Sequence, residues 1–214
     1  MEMIAIFVGS YLVGSIPVAY LLVRKKSNID IRTAGSGNAG GYNTYVVTQS
    51  KALGILVGVL DALNGFIPVL VTSLLFPNSF LLLCSALVGA VTGHNYPVWV
   101  GFKGGRGLAT AAGGLIPIGF PYTVVWCLLW GLARLLRRDI LTSNLVSILA
   151  TPIVLWLLPW KWLHHLMRVD VDNWTFIFFS CVLSLVLILS HSDAVRDTWK
   201  GSTLGQSDAS SPHP

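Results

Sequence analysis

Apolar residues run through this chain in long blocks, separated by short glycine-dense polar segments rather than by regular alternation. Blocks of about 20 apolar residues are what a helix needs to cross the hydrocarbon core. Such blocks cover residues 3–23, 52–76, 79–96, 122–136, 141–160 and 174–190. A shorter one, 108–120, carries glycines and Pro117, and reads as a short helix or a re-entrant segment. Counting it as a crossing gives about seven transmembrane helices. The predicted fold is all-α, a polytopic integral membrane helix bundle, with residues 1–200 as one membrane domain.

Composition supports this. With 54% hydrophobic and 11% charged residues, and a mean hydropathy of +0.70, 214 residues carry too little polar surface for a soluble globule. Charge then orients the spans. Arg24, Lys25 and Lys26 follow the first apolar block and only Glu2 precedes it, the reverse of a cleaved signal peptide. With the N-terminus outside, the loops 24–51, 97–107, 134–140 and 191–214 fall on the cytoplasmic side. Of 14 Lys and Arg, only Lys161 and Arg168 then lie outside. The C-terminus is cytoplasmic, and its tail 201–214, rich in Ser, Gly and Pro, reads as disordered. Cys84, Cys127 and Cys181 stand singly in apolar runs and read as small buried hydrophobes, with no disulfide framework or metal site. Trp156, Trp160 and Trp162 suit an interfacial belt.

Two polar stretches are richer than connecting loops need. The first, "GSGNAGGYN" at 35–43, contains a G-x-G-x-x-G pattern at Gly35, Gly37 and Gly40, with Asp61 about twenty residues on, as in a dinucleotide fold. That motif requires a soluble strand–turn–helix. Here Gly35 follows one membrane span and Asp61 lies inside another, so the dinucleotide reading fails. The second stretch is "GHNYPVWVGFKGGRGLAT" at 93–110. Glycines let successive amides face one point and cradle an anion. Lys103 and Arg106 add cations around Gly104, Gly105 and Gly107, and Arg presents a fork that matches phosphate oxygens. Ser36, Asn38 and Asn43 supply short donors for a phosphate or a hydroxyl. The plainer reading is a tight turn with basic anchors at the membrane surface. Asp61 and Asn64 interrupt a span and need partners there. His94 and His191 sit at cytoplasmic boundaries, each open to a role as general base, phosphate donor or interface residue.

These segments resemble the bacterial acyl-phosphate-dependent glycerol-3-phosphate acyltransferases of the inner membrane. "GSGNAGGYN" is similar to that family's first motif and "GHNYPVWVGFKGGRGLAT" to its second almost residue for residue; "LDALNGFIPVL" (60–70) resembles the membrane segment between them. Departures are visible too. Tyr42 stands for the family's Thr, Val46 and its neighbours for an Arg, and in "SHSDAVRD" (190–197) His191 matches while Ser190 and Ala194 replace Arg and Asn, with Arg196 shifted. The resemblance implies transfer of a fatty acyl group from acyl phosphate to glycerol 3-phosphate. It implies catalytic roles for Ser36, Lys103, Arg106 and His191. Gly35, Gly37, Asn38, Asn43, His94, Gly104, Gly105 and Gly107 join Ser36, Lys103 and Arg106 in the expected phosphate site. Expected partners are the two substrates and membrane lipids, with no nucleic acid, cofactor or metal; the oligomeric state stays open. The departures motivate a second reading: a relative that binds a phospholipid headgroup or partner subunit, or acylates another phosphorylated acceptor.

Overall fold

A computed structural model describes residues 1–137 and 139–192. Ala194, Arg196, Lys200, the boundary at 200 and the tail 201–214 lie outside the described residues. Those that are described form helices: α1 (Glu2–Gly14), α2 (Val18–Ser27), α3 (Gly41–Thr48), α4 (Lys51–Leu75), α5 (Phe80–Asn95), α6 (Leu108–Leu115), α7 (Pro121–Arg137), α8 (Ile140–Leu157), α9 (Trp160–His164) and α10 (Asn173–Leu189). Among them, extended pairing is limited to one bridge, Gly119 with Met167.

Four stretches are long and apolar enough to cross a bilayer: Glu2–Ser27, Lys51–Leu75, Phe80–Val100 and Ile140–Leu157. Pro121–Leu136 and Asn173–Leu189 are shorter apolar helices. The expected count of about seven transmembrane helices is therefore not what helix length alone gives. The block 3–23 is not one helix, since α1 stops at Gly14 and α2 starts at Val18. Pro17 has no amide to donate and disfavours helix at Ile16 before it. The segment 108–120 is helical only over its first eight residues. Beyond them, Phe120 donates its amide to the Leu166 carbonyl and Arg168 to that of Ile118, so non-helical backbone is satisfied inside the protein.

Leu packed on Leu gains little when the solvent is itself hydrocarbon, so the helices meet through small residues. On α4, Gly65 lies against the Thr110 carbonyl; on α6, Gly113 lies against that of Ala62. Between α1 and α5 the same is done by Gly14 against Ala90, Gly89 against Phe7 and Gly93 against Tyr11. At each contact a Cβ would overlap a backbone oxygen, which fixes how closely the axes approach. Helix starts are capped locally: Ser50, Asp139 and Asp172 each accept a first-turn amide of α4, α8 and α10.

A second device ties α7, α8 and α10. Pro152 cannot donate to the carbonyl four residues earlier, and that carbonyl, on Ile148, instead accepts from Ser184 Oγ at 3.0 Å. The single hydroxyl hydrogen of Ser184 being thus engaged, Tyr122 must be the donor in its 2.7 Å bond to Ser184.

Two sequence expectations about side chains need correction. Cys84 is buried, but Cys127 and Cys181 are exposed on outward helix faces. Trp156 and Trp162 are more than half exposed, as a belt requires, whereas Trp160 turns inward onto Phe176 at a ring separation of 5.8 Å.

The α4–α6 contact yields a direct expectation. Gly113→Val should destabilise the protein by about 2 kcal/mol or more, because the new side chain meets rigid backbone. Gly58→Ala, whose Cβ meets nothing within 4 Å, should leave the unfolding midpoint in detergent near that of the unmodified protein.

Candidate functional site

At one end of the bundle the two glycine-rich segments are joined. Ala39 donates its amide to the Gly104 carbonyl at 3.2 Å, and within the second segment Gly105 donates to the His94 carbonyl at 3.1 Å. Ser190 Oγ reaches the Arg106 carbonyl at 3.1 Å, so the end of α10 adjoins the same loop. The structure thus brings the 35–43, 93–110 and 190–191 segments together.

The first loop is shaped from within. Gly35 and Gly37 have φ of +59° and +70°, conformations that favour glycine. Asn43, on the first turn of α3, is the organiser. Its Oδ1 accepts from Ser36 at 3.0 Å, and its Nδ2 donates to the carbonyls of Ala34 at 3.0 Å and Asn38 at 2.9 Å. Both amide hydrogens are committed, so Asn43 shapes the loop instead of donating to a phosphate, which corrects the sequence expectation. The amides of Ser36, Gly37, Ala39 and Gly40 are also bonded within the protein. The first loop is therefore not an open row of amides; what it presents outward is the exposed Ser36, beside the half-buried Asn38.

The second loop differs. Gly107, at φ +75°, caps α6 with no side-chain partner, so the first-turn amides of α6 face the loop as an anion-favouring end. Lys103 is exposed and Arg106 half-buried, and neither forms a salt bridge among the described residues. Burial pulls the Arg106 pKa down, yet a guanidinium stays charged in a protein. His94 lies beneath: a Cβ on Gly105 would strike its Nε2, and one on Gly104 would strike its carbonyl oxygen. Those two glycines are required by close approach, not by backbone angle.

His191 is fully buried. Its Nδ1 lies 2.7 Å from the Leu187 carbonyl, which accepts a hydrogen and so makes Nδ1 the donor. Nε2 is then the bare, accepting nitrogen, with no partner among the described residues. Burial first, and then the charge of Arg106, lower the His191 pKa, with the Leu187 carbonyl acting in the opposite sense.

Several participants were less visible in the sequence. The α1–α2 break, with Ile16 and Pro17, lines a narrow crevice together with Asp61, His94, Lys103 and Gly104. Asp61 has His94 Nδ1 at 3.8 Å as its nearest titratable neighbour, and Asn64 donates to the Ile16 carbonyl at 3.1 Å across the break. Ser15 and Asn95 are buried polar residues beside it. Proline and serine inside an apolar run were the available signal. Arg32, by contrast, is not a free cation. It pairs with Asp30 at 2.7 Å, donates to the Val100 carbonyl, and stacks over Tyr20 at 4.6 Å, pinning the first loop to the second.

The chain is similar to known proteins over most of its length. The family model described as glycerol-3-phosphate acyltransferase matches residues 4–201. A glycerol-3-phosphate acyltransferase of Bradyrhizobium diazoefficiens is 35% identical over 199 residues, covering 92% of this chain and 91% of the relative. One from Pseudomonas syringae is 36% identical over 194 residues, covering 90% and 92%. Among solved structures, the glycerol 3-phosphate form of PlsY (YgiH), an integral membrane glycerol 3-phosphate acyltransferase, superposes with a TM-score of 0.74 at 28% identity, covering 94% of each chain. Its lysophosphatidic acid form gives 0.73 at 27% identity, covering 94% of this chain and 93% of that one.

The Arg32 pin has a pH signature. Its hydrogen bond holds the Asp30 carboxyl at about 2, below the usual 3.8. A depressed folded-state value stabilises above 3.8, and that contribution is lost as pH falls toward about 2. Unfolding of the detergent-solubilised protein followed against pH should show this acid loss, and Asp30→Asn should lack it and be less stable at neutral pH.

Proposed function

Because the chain belongs to the glycerol-3-phosphate acyltransferase family and is a membrane acyltransferase of phospholipid synthesis, we propose that it transfers a fatty acyl group from acyl phosphate to the 1-hydroxyl of glycerol 3-phosphate. The products are lysophosphatidic acid and inorganic phosphate. One observation carries this reading. Two cations without salt-bridge partners among the described residues, Lys103 and Arg106, flank the uncapped amide end of α6, where the first loop is bonded to the second.

The donor is already activated, so no covalent enzyme intermediate is needed, and positioning with charge stabilisation supplies the catalysis. The acceptor oxygen attacks the acyl carbonyl carbon, a new C–O ester bond forms, and the C–O bond to phosphate breaks with its electron pair leaving on phosphate. The hydroxyl proton ends on the released phosphate. Lys103, Arg106 and the backbone at 104 and 107 hold phosphate oxygens, Arg106 with its planar fork, while Gly105, its amide bonded to the His94 carbonyl, shapes the loop. Ser36 and Asn38 orient the acceptor, with Gly35 and Gly37 setting their backbone. His94 supports the loop from below, and His191, neutral and with Nε2 accepting, is an adjunct to the phosphate site.

Topology follows the charge. With the N-terminus outside and the C-terminus cytoplasmic, the six apolar helical stretches plus α6 and its following turn make seven crossings of the bacterial inner membrane. All three joined segments then face the cytoplasm, where both soluble reactant and released phosphate are found. A second reading, in which the chain binds a phospholipid headgroup or partner, or acylates another phosphorylated acceptor, is favoured by Val46, which is 38% exposed where the family's first motif carries a cation.

Purified protein given acyl phosphate and labelled glycerol 3-phosphate should form labelled lysophosphatidic acid; absence of product from folded protein overturns the proposal. Arg106→Ala should lower kcat/KM about 100-fold, and Arg106→Lys should recover only part, because the two-point contact is lost. An unchanged rate in Arg106→Ala would remove that residue from the site.

A further inference from the structure

The turn that leads from α5 to Lys103 displays an apolar patch that the phosphate site does not use. Trp99 is 62% exposed, Phe102 58% and Val98 39%, all within residues 96–102. The turn is nevertheless closed on itself. Pro97 has no amide to satisfy, its carbonyl accepts from Phe102 at 2.9 Å and from Val100 at 3.4 Å, and the Tyr96 amide donates back to Thr92. Two further bonds come from outside it: Tyr11 donates to the Tyr96 carbonyl at 2.8 Å, and Arg32 donates to that of Val100. Gly101 and Phe102 both have positive φ, +72° and +61°, which for a side chain as bulky as Phe is strained. Rings that water disfavours are thus held outward by a turn whose carbonyls at 96, 97 and 100 are already bonded within the protein. That combination suits a layer poor in water.

Helix length says where this layer lies. The 16 residues of α5 span about 24 Å at 1.5 Å per residue, short of the roughly 30 Å hydrocarbon core, so the turn makes up the difference at the membrane surface. Charge says what meets it there. Arg24, Lys25 and Lys26 are exposed in the last turn of α2. They stand at the same end of the molecule: the Asp30 carboxyl is held low by its bond to Arg32 and also by the charge of Arg24, and Arg32 is itself bonded to the turn at Val100. Amphipathic rings collect at the headgroup level, and each Lys or Arg near an anionic surface adds attraction.

We propose that Trp99 and Phe102 anchor the turn 96–102 in the headgroup layer of the cytoplasmic leaflet, with anionic phospholipid as the partner of Arg24, Lys25 and Lys26. The leaflet and the purpose rest on the topology and acyl-transfer readings above. Phe102 directly precedes Lys103, so its depth sets the height of the phosphate-binding loop relative to the lipid headgroups. A protein partner would fit the apolar rings equally well, but it would not account for the shortness of α5.

The test reads depth. Two signals report it: the emission of Trp99, taken as the difference between the unmodified protein and Trp99→Phe, and that of the indole added by Phe102→Trp. In vesicles containing phosphatidylglycerol both should be blue-shifted, quenched by lipids brominated near the top of their acyl chains, and little affected by iodide present on both sides of the membrane. Arg24→Gln, Lys25→Gln and Lys26→Gln combined should weaken the lipid quenching in those vesicles and leave it unchanged in phosphatidylcholine alone. Strong iodide quenching of both indoles overturns the anchor and leaves the patch to a protein partner. A triple variant indistinguishable from the unmodified protein in the anionic vesicles overturns the choice of lipid. Phe102→Trp answers by addition should Trp99→Phe fail to fold. None of these signals requires turnover, so an inactive protein with shielded indoles strikes the acyl-transfer reading and spares the anchor.

Discussion

Close approach of backbone to backbone, where hydrocarbon offers no hydrophobic gain from burying one apolar side chain against another, is the constraint on which this bundle rests. The crossing of α4 and α6 shows it most directly. Gly65 and Gly113 let carbonyl-bearing turns touch, and a helix of eight residues is held in place by a partner three times its length. That anchorage aims the free amide end of α6 at the polar loops. The same closeness recurs where Gly104 and Gly105 rest on His94. Site and scaffold therefore use one device, the missing side chain, for one purpose.

The charges at the site divide by their commitments. Arg32 is tied to Asp30 and to the Val100 carbonyl and serves as a strut between loops. Lys103 and Arg106 carry charges that no carboxylate among the described residues offsets. His191 is held neutral by burial and by Arg106 itself. A neutral imidazole beside a cation leaves the local positive potential to Lys103 and Arg106.

Much of this could be read from residue order. The apolar blocks marked the helices, and two glycine-dense stretches marked the joined loops, since glycine, asparagine and paired cations have little reason to cluster beside a membrane otherwise. What escaped the reading was set by tertiary contacts. The interruption at Ile16 and Pro17 looked like a proline inside a span, and only its bond from Asn64 shows that it lines a pocket. Asn43 looked like a free donor until α3 turned it back onto its own loop. Helix α3 itself was concealed in what read as a loop, because an eight-residue helix at the membrane surface has no long apolar run to announce it. Cys127 and Cys181 were misjudged for a related reason: in a bilayer, an apolar run does not say which face looks inward.

The relay from Pro152 through Ile148 and Ser184 to Tyr122 carries a consequence for how the chain can vary. These positions are far apart in sequence, yet each supplies what another lacks: a vacated carbonyl, a hydrogen to fill it, and a phenol obliged to point one way. Replacing any one alone strands its neighbour, so substitutions there should be strongly non-additive. The three helices are in that sense a single heritable unit, able to drift only in concert.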